Sequence, residues 1–134
     1  MKQTLLPLFL ILISLLGGCA KGDISQVEKV ISTSAVYTQA EIESAMEVAI
    51  SHFRKEFEGC SLTRICYEDG RDAAAAEWAS TYGAEEGIIL LSSFDVDSSG
   101  GDGSLNPNST YNNWQWILVR SGNESWELKT WGYG

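Results

Sequence analysis

The order of apolar and polar residues along the chain predicts a long helix, a short helix and several strands. The clearest pattern covers residues 39–58, where apolar residues recur every three to four positions and form one face of a helix. Thr38 and Glu41 have the spacing of a capping box at its start. Gly59 suits the left-handed conformation that often follows a helix. We therefore predict one long amphipathic helix here.

The rest of the chain alternates between strand-like runs and turn-forming residues. A short alanine-rich helix is expected after Asp72, which would cap it, and Gly83 would end it. In the last strand, we expect Trp131 and Tyr133 on the opposite face from Trp126. The predicted ranges are a helix at 73–82, strands at 61–67, 87–96, 113–120 and 125–133, a loop at 97–112 and a hairpin at 121–124.

This order of elements is typical of an α+β fold. A helix laid across an antiparallel sheet buries the apolar faces of both. The sequence therefore predicts an N-terminal helix packed on a curved antiparallel sheet of about four strands. The length fits a single domain, which we place at residues 36–134.

The N-terminus has the layout of a secretory signal. One positive charge, Lys2, precedes an apolar run that is too short to span a bilayer. The run ends in residues 16–19 (LGGC), which resemble the lipobox of bacterial lipoproteins. The resemblance implies a signal peptide at 1–18 and a Cys19 that becomes the lipidated first residue of the mature chain. An ordinary secretory signal, cut nearby, is the alternative.

A lipid anchor would place the protein on the extracytoplasmic face of the cell membrane, with the membrane as a partner through Cys19. Residues 19–35 are polar and mixed, and we read them as the lipidated cysteine and a tether. The formal net charge of −9 argues against nucleic acid as a partner. It favours cationic partners or divalent metal, although a merely solvated surface has the same composition.

Two cysteines follow Cys19, namely Cys60 and Cys66. If this segment is an extended strand, their Cα atoms lie about 20 Å apart, whereas a disulfide requires less than about 7 Å. The spacing favours two buried thiols, unless the segment turns back on itself. The single histidine, His52, leaves the chain without a Cys/His metal set and is expected at the boundary of the long helix.

The acidic loop after the third strand is a candidate metal site. Asp95, Asp97 and Ser99 have the spacing of the first ligands of an EF-hand loop, and Asp102 adds a further carboxylate. The match fails at the last ligand position, where Asn106 stands in place of Glu. Asp95, Asp97 and Asp102 are therefore candidates for weak Ca²⁺ binding, and a flexible solvated loop is the alternative.

The aromatic residues concentrate near the C-terminus. Tyr111, Trp131 and Tyr133 are candidates for an exposed surface that stacks on a sugar or takes a peptide. Packing within the domain is the alternative. We assign no catalytic residue and no cofactor, because no nucleophile motif, phosphate loop or paired carboxylate spacing is present.

A family resemblance extends this reading. The layout resembles the cystatin-like and NTF2-like superfold, in which an N-terminal helix lies in a curved antiparallel sheet. Residues 92–97 (SSFDVD), 105–111 (LNPNSTY) and 114–119 (WQWILV) resemble small uncharacterised lipoproteins of Gram-positive gut bacteria related to the DUF4829 group. The resemblance implies no biochemical activity. NTF2-like enzymes place polar residues inside the sheet, whereas the inward positions predicted here are apolar.

The sequence thus favours a membrane-anchored lipoprotein that is a non-catalytic binding or interaction module, with an unknown protein or glycan as partner. A Ca²⁺-responsive surface domain and a small-pocket enzyme of the NTF2-like superfold are the alternatives.

Overall fold

The computed structural model describes residues 21–133. The signal peptide and Cys19 predicted from the sequence lie outside these residues. The described part forms the helices α1 (Gln39–Glu56) and α2 (Asp72–Thr81) and the strands β1 (Glu28–Ile31), β2 (Cys60–Tyr67), β3 (Glu86–Val96), β4 (Thr110–Arg120) and β5 (Glu127–Gly132).

The strands form one five-stranded sheet in the order β1-β2-β3-β4-β5. β1 runs parallel to β2, and every other neighbouring pair is antiparallel. The predicted α+β class is confirmed, as is a helix packed on a mostly antiparallel sheet. The strand count is higher than the four expected, because β1 was missed.

The segment before α1 is part of the fold, so a tether over residues 19–35 is the wrong prediction for its described part. The backbone N–H groups of Lys21 and Gly22 donate to the Arg54 carbonyl at 3.0 and 2.9 Å. β1 then pairs with β2. Parallel strands are not joined by a tight turn, so the sequence contains no turn motif that would indicate this pairing. A short strand with few apolar residues also lacks a clear alternating pattern.

The N-terminus of α1 is built as the sequence predicts. The Glu41 N–H donates to Thr38 Oγ1 at 3.1 Å, and the Thr38 N–H donates to Glu41 Oε1 at 2.8 Å. The helix ends at Glu56, slightly before the predicted end, and Gly59 takes a φ of 77° in the turn to β2. The buried face of the helix consists of Ile42, Ala45, Met46, Ala49, Ile50 and Phe53.

The second helix, α2, packs on the opposite face of the sheet. Its close approach depends on Gly87 of β3, where a Cβ would lie 2.3 Å from the Ala75 carbonyl oxygen. The N-terminal cap of α2 differs from the prediction. Arg71 is the N-cap residue, and it makes no side-chain capping hydrogen bond. Asp72 begins the helix and instead accepts a hydrogen bond from the Tyr67 hydroxyl at 3.1 Å.

The main core lies between α1 and the sheet. Phe53, Phe94 and Trp116 are fully buried there. The Trp116 indole N–H donates to Ser92 Oγ at 2.7 Å, and the Ser92 hydroxyl donates to the Trp114 carbonyl at 3.2 Å. This chain of hydrogen bonds satisfies the polar atoms of the most buried tryptophan, as burial requires.

Three register shifts interrupt the antiparallel pairings, between Leu62 and Arg64, between Ser92 and Phe94, and between Ile117 and Leu118. A shift of this kind inserts an extra residue, bends the strand and reverses the alternation of faces beyond it. The face on which a side chain near the C-terminus lies therefore depends on where each bulge falls.

Both cysteines of β2 are free and buried, as the strand spacing predicted. Cys60 lies in the core under α1. Burial raises the pKa of its thiol to about 11, and burial also raises the pKa of the Cys66 thiol. Both thiols therefore stay protonated near neutral pH.

Candidate functional site

The last strand, β5, differs from its predicted alternation of faces, and this difference brings Trp131 to the α1 side of the sheet. Ile117 pairs with Thr130 and Leu118 pairs with Leu128, so Lys129 is the extra residue of a bulge. Beyond the bulge, Trp131 pairs with Trp116 and faces α1 rather than the opposite side of the sheet. The prediction that Trp131 and Tyr133 lie on the face opposite Trp126 is therefore wrong.

His52 of α1 meets the ring of Trp131. The two ring centroids lie 4.3 Å apart at an interplanar angle of 50°. Burial lowers the pKa of His52 from its ordinary value of 6.5. The imidazole is therefore mostly neutral at pH 7 and acts there as an aromatic surface rather than as a cation.

Tyr111 and Tyr133 extend the same aromatic cluster. Their rings stack with centroids 5.8 Å apart, and the Tyr133 ring lies 5.4 Å from that of Trp114. The Tyr111 hydroxyl accepts a hydrogen bond from the Asn106 N–H at 3.0 Å. The three candidate residues for a ligand surface thus fall in one cluster, in which Trp131 is 42% and Tyr133 61% accessible.

The acidic loop between β3 and β4 does not gather its carboxylates. Asp95 accepts a hydrogen bond from Thr110 Oγ1 at 2.7 Å, whereas Asp97 and Asp102 each accept from the serine two positions later. No group of three or more His, Cys, Asp or Glu side chains within residues 21–133 is placed to hold a metal ion. Calcium binding by Asp95, Asp97 and Asp102 stays a prediction from spacing.

The loop and the aromatic cluster meet at a cleft of about 390 Å³. Its walls come from the last turn of α1, the turn into β2, the acidic loop and the strands β4 and β5. The lining residues are His52, Glu56, Phe57, Glu58, Cys60, Gly101, Asp102, Ser104, Leu105, Trp114 and Trp131. The volume lies within the range of small-ligand sites.

Charge and aromatic surface coincide in this cleft. Three carboxylates belong to its lining, at Glu56, Glu58 and Asp102. Hydrogen bonds from the Ser104 hydroxyl and backbone N–H lower the pKa of Asp102, which keeps it ionised at neutral pH. The cleft is therefore negative, and its floor is aromatic.

Sequence reasoning found Trp131 and Asp102 but treated them as parts of separate features. It missed Glu56, Glu58 and Phe57, which follow the buried face of α1 at its C-terminal end. The available signal was the aromatic Phe57 between two glutamates directly before the Gly59 turn. Nothing local indicated that the acidic loop would fold over this turn.

Comparisons with known protein families, with curated proteins and with solved structures find no match to this chain. Among the described residues, none of the helices combines the length and apolar character needed to cross a bilayer.

Proposed function

We propose that this protein is a lipoprotein, held on the extracytoplasmic face of the cell membrane by acyl groups on Cys19, whose domain is a non-catalytic binding module. The ligand site is the cleft at the C-terminal end of α1. The observation that carries the proposal is the convergence of Trp131, His52 and Asp102 on one open cleft. Such a combination of aromatic walls and a few polar groups is usual in ligand sites.

The chemistry of the cleft favours binding over catalysis. Its thiol, at Cys60, has a pKa raised to about 11 by burial, and the Sγ–H donates to the Glu58 carbonyl at 3.7 Å. A nucleophilic cysteine needs a lowered pKa and a base that takes its proton. His52 lines the cleft, where its ring packs against that of Trp131.

We further propose that the helix and curved sheet form a cystatin-like or NTF2-like arrangement, and that the chain is related to the DUF4829 group of lipoproteins. Support for the arrangement is a helix with a capping box that packs on a sheet whose strands carry three register shifts. An experimental structure with a flat sheet, or with the helix on its other face, would contradict the fold.

Ligand-observed NMR with a set of neutral, anionic and cationic fragments tests the binding site. We expect fragments whose signals respond to the wild type and not to Trp131→Ala. The matched control is Tyr82→Ala, because Tyr82 is exposed to a similar degree, 40% against 42%, and is the C-cap residue of α2 on the other side of the sheet. If no fragment of any charge depends on Trp131, the cleft is not a binding site.

The anchor is tested by fractionation of cells that carry Cys19→Ser. We expect this variant to leave the membrane fraction while its domain still folds, because the acidic surface offers no electrostatic attachment to anionic lipids. Cys66→Ser is the control, since it changes a buried cysteine of the sheet. A Cys19→Ser variant that is processed and retained like the wild type would contradict the proposal.

A further inference from the structure

The cleft has an excess of negative charge that its own lining does not neutralise. Its carboxylates are Glu56, Glu58 and Asp102, and the lining within residues 21–133 includes neither lysine nor arginine. The single titratable base in the lining, His52, is mostly uncharged at pH 7 because burial lowers its pKa. An anionic ligand would therefore be repelled, and a cationic ligand attracted.

The aromatic floor adds a second preference for positive charge. Trp131 exposes 42% of its surface beside His52, and Phe57 and Trp114 line the same cleft. A cation above the face of an aromatic ring is attracted by the ring's quadrupole, and tryptophan is the best partner. Methylated alkylammonium groups suit such a site best, because their charge is more weakly hydrated than that of a primary ammonium and they can contact a ring through their methyl groups.

The same protein already holds a cation in this way at the other end of α1. The Arg120 guanidinium carbon lies 4.3 Å from the ring centroid of Trp126 and 5.8 Å from that of Tyr37. The same guanidinium pairs with Glu41 and, at 2.7 Å, with Glu86. Aromatic rings and carboxylates thus enclose one cation there, supplied by the chain.

The cleft at the C-terminal end repeats these ingredients, but its lining supplies no lysine or arginine within residues 21–133. We propose that the cleft binds an alkylammonium cation, with the charge placed against Trp131 and His52 and within reach of Glu58 and Asp102. This inference rests on the proposed function, because it names the ligand class of the same site. The cation is either a free amine or the headgroup of a lipid.

Titration of the full-length protein with choline, in an uncharged detergent, tests the charge requirement. The readout is calorimetry together with tryptophan fluorescence, since Trp114 and Trp131 line the cleft. The matched ligand is 3,3-dimethyl-1-butanol, which has the shape of choline without its charge, and sodium chloride matches the ionic strength. We expect choline to bind at least about tenfold more tightly than the neutral alcohol.

Variants locate the interaction. We expect the combined change Glu56→Gln, Glu58→Gln and Asp102→Asn to weaken choline binding about tenfold, because it removes the charge of the cleft and keeps its shape. Glu77→Gln, an exposed carboxylate on α2, is the control and should change the affinity by less than about twofold. These isosteric changes at the surface leave the core of the domain intact, so loss of folding is not a route to the expected result.

Choline and the neutral alcohol binding with equal affinity would overturn the cation inference, as would choline binding that the combined variant leaves unchanged. No response to choline at about 100 mM, far above a millimolar dissociation constant, would also overturn it. These outcomes differ from failure of the proposed function, in which no fragment of any charge depends on Trp131.

A second arm identifies the source of the cation. The protein is placed in phosphatidylcholine vesicles or in the uncharged detergent, and free choline is titrated in both. A lower apparent affinity in phosphatidylcholine means that the headgroup occupies the cleft and competes, which supports the inference with a lipid as the source. Equal affinity, with binding retained, supports it with a free amine as the source.

Discussion

The two ends of α1 show the same chemical groups put to different uses. At the N-terminal end, Tyr37 and Trp126 are buried, and the Trp126 indole N–H donates to the Glu41 carbonyl at 3.1 Å. At the C-terminal end, Trp131 is exposed and His52 contacts it only through ring packing. The first end is closed by the chain's own arginine, whereas the second is open to solvent.

The difference separates a cluster whose charges are paired within the chain from an open cluster of similar composition. A cluster whose donors, acceptors and charges are paired within the chain contributes to stability. A cluster that leaves carboxylates without a cationic partner and ring faces open to solvent contributes less to stability and remains able to bind a ligand. The four predictions below compare the two ends on this basis.

The largest expected difference is between two tryptophan substitutions. Trp126→Ala should lower the free energy of unfolding by about 3–5 kcal/mol, the range for a large buried aromatic side chain. Trp131→Ala should lower it less, by about 1–2 kcal/mol, because 42% of the residue is already accessible to solvent. Urea unfolding measures both. Equal losses would mean that Trp131 is a core residue and that the C-terminal end is not open.

Removal of the internal cation should have the next largest effect. Arg120→Met should destabilise the domain by about 2–3 kcal/mol, because Glu41 and Glu86 keep their charges without a cationic partner. The control is Lys129→Met, whose pair with Glu127 lies at the surface and should cost less than about 1 kcal/mol. An Arg120→Met variant as stable as the wild type would contradict the view that Arg120 closes the N-terminal end of α1.

The two ends should lose stability in different pH ranges. Burial holds the pKa of His52 below 6.5, so the unfolded chain takes up the proton first and stability falls as the pH drops below about 6.5. Hydrogen bonding to the Thr38 N–H, followed by Arg120, lowers the pKa of Glu41 from 4.5, so stability from this group is present above that pH. It is lost as the pH falls through the lowered value.

Unfolding curves of the wild type, His52→Gln and Glu41→Gln across pH separate these ranges. His52→Gln should reduce the slope just below pH 6.5, and Glu41→Gln should reduce it only below about pH 4.5. Glu56 and Lys55, the charged groups nearest His52, act in opposite directions on its pKa. A His52→Gln variant with the wild-type slope would show that the imidazole is solvated as in the unfolded chain.

The smallest expected change in stability comes from closing the open end. Ser104→Arg places a guanidinium in the lining of the cleft, which Trp131 also lines, and so supplies the cation that Arg120 supplies beside Trp126. We expect the free energy of unfolding to change by less than about 1 kcal/mol. The affinity for choline should fall about tenfold. Ser104→Gln is the uncharged control and should retain binding. Unchanged choline affinity in the arginine variant would mean that the cleft lining at Ser104 is not part of the ligand site.

Local signals in the sequence were sufficient for the helices. The capping box at Thr38 and the spacing of apolar residues depend on neighbours within two turns, so they can be read without the rest of the fold. The cysteine prediction was also local, because the reach of an extended strand excludes a bridge. The cap of α2 failed because a tertiary contact with Tyr67 recruited the Asp72 side chain.

The site could not be assembled from the sequence because it depends on long-range register. A bulge at Lys129 moved Trp131 to the other face of the sheet, and an alternating pattern does not reveal where such a residue is inserted. The fifth strand, β1, was missed because its partner lies far along the chain. The acidic loop and the end of α1 were each visible, but their contact follows from the fold of the whole domain.

Hydrogen bonds from the backbone N–H groups of Lys21 and Gly22 join the first described residues to the last turn of α1. The acceptor, the Arg54 carbonyl, lies two residues before Glu56, which lines the cleft. The chain therefore enters the domain at the cleft end of α1, and the proposed lipid attachment would join the domain at that end.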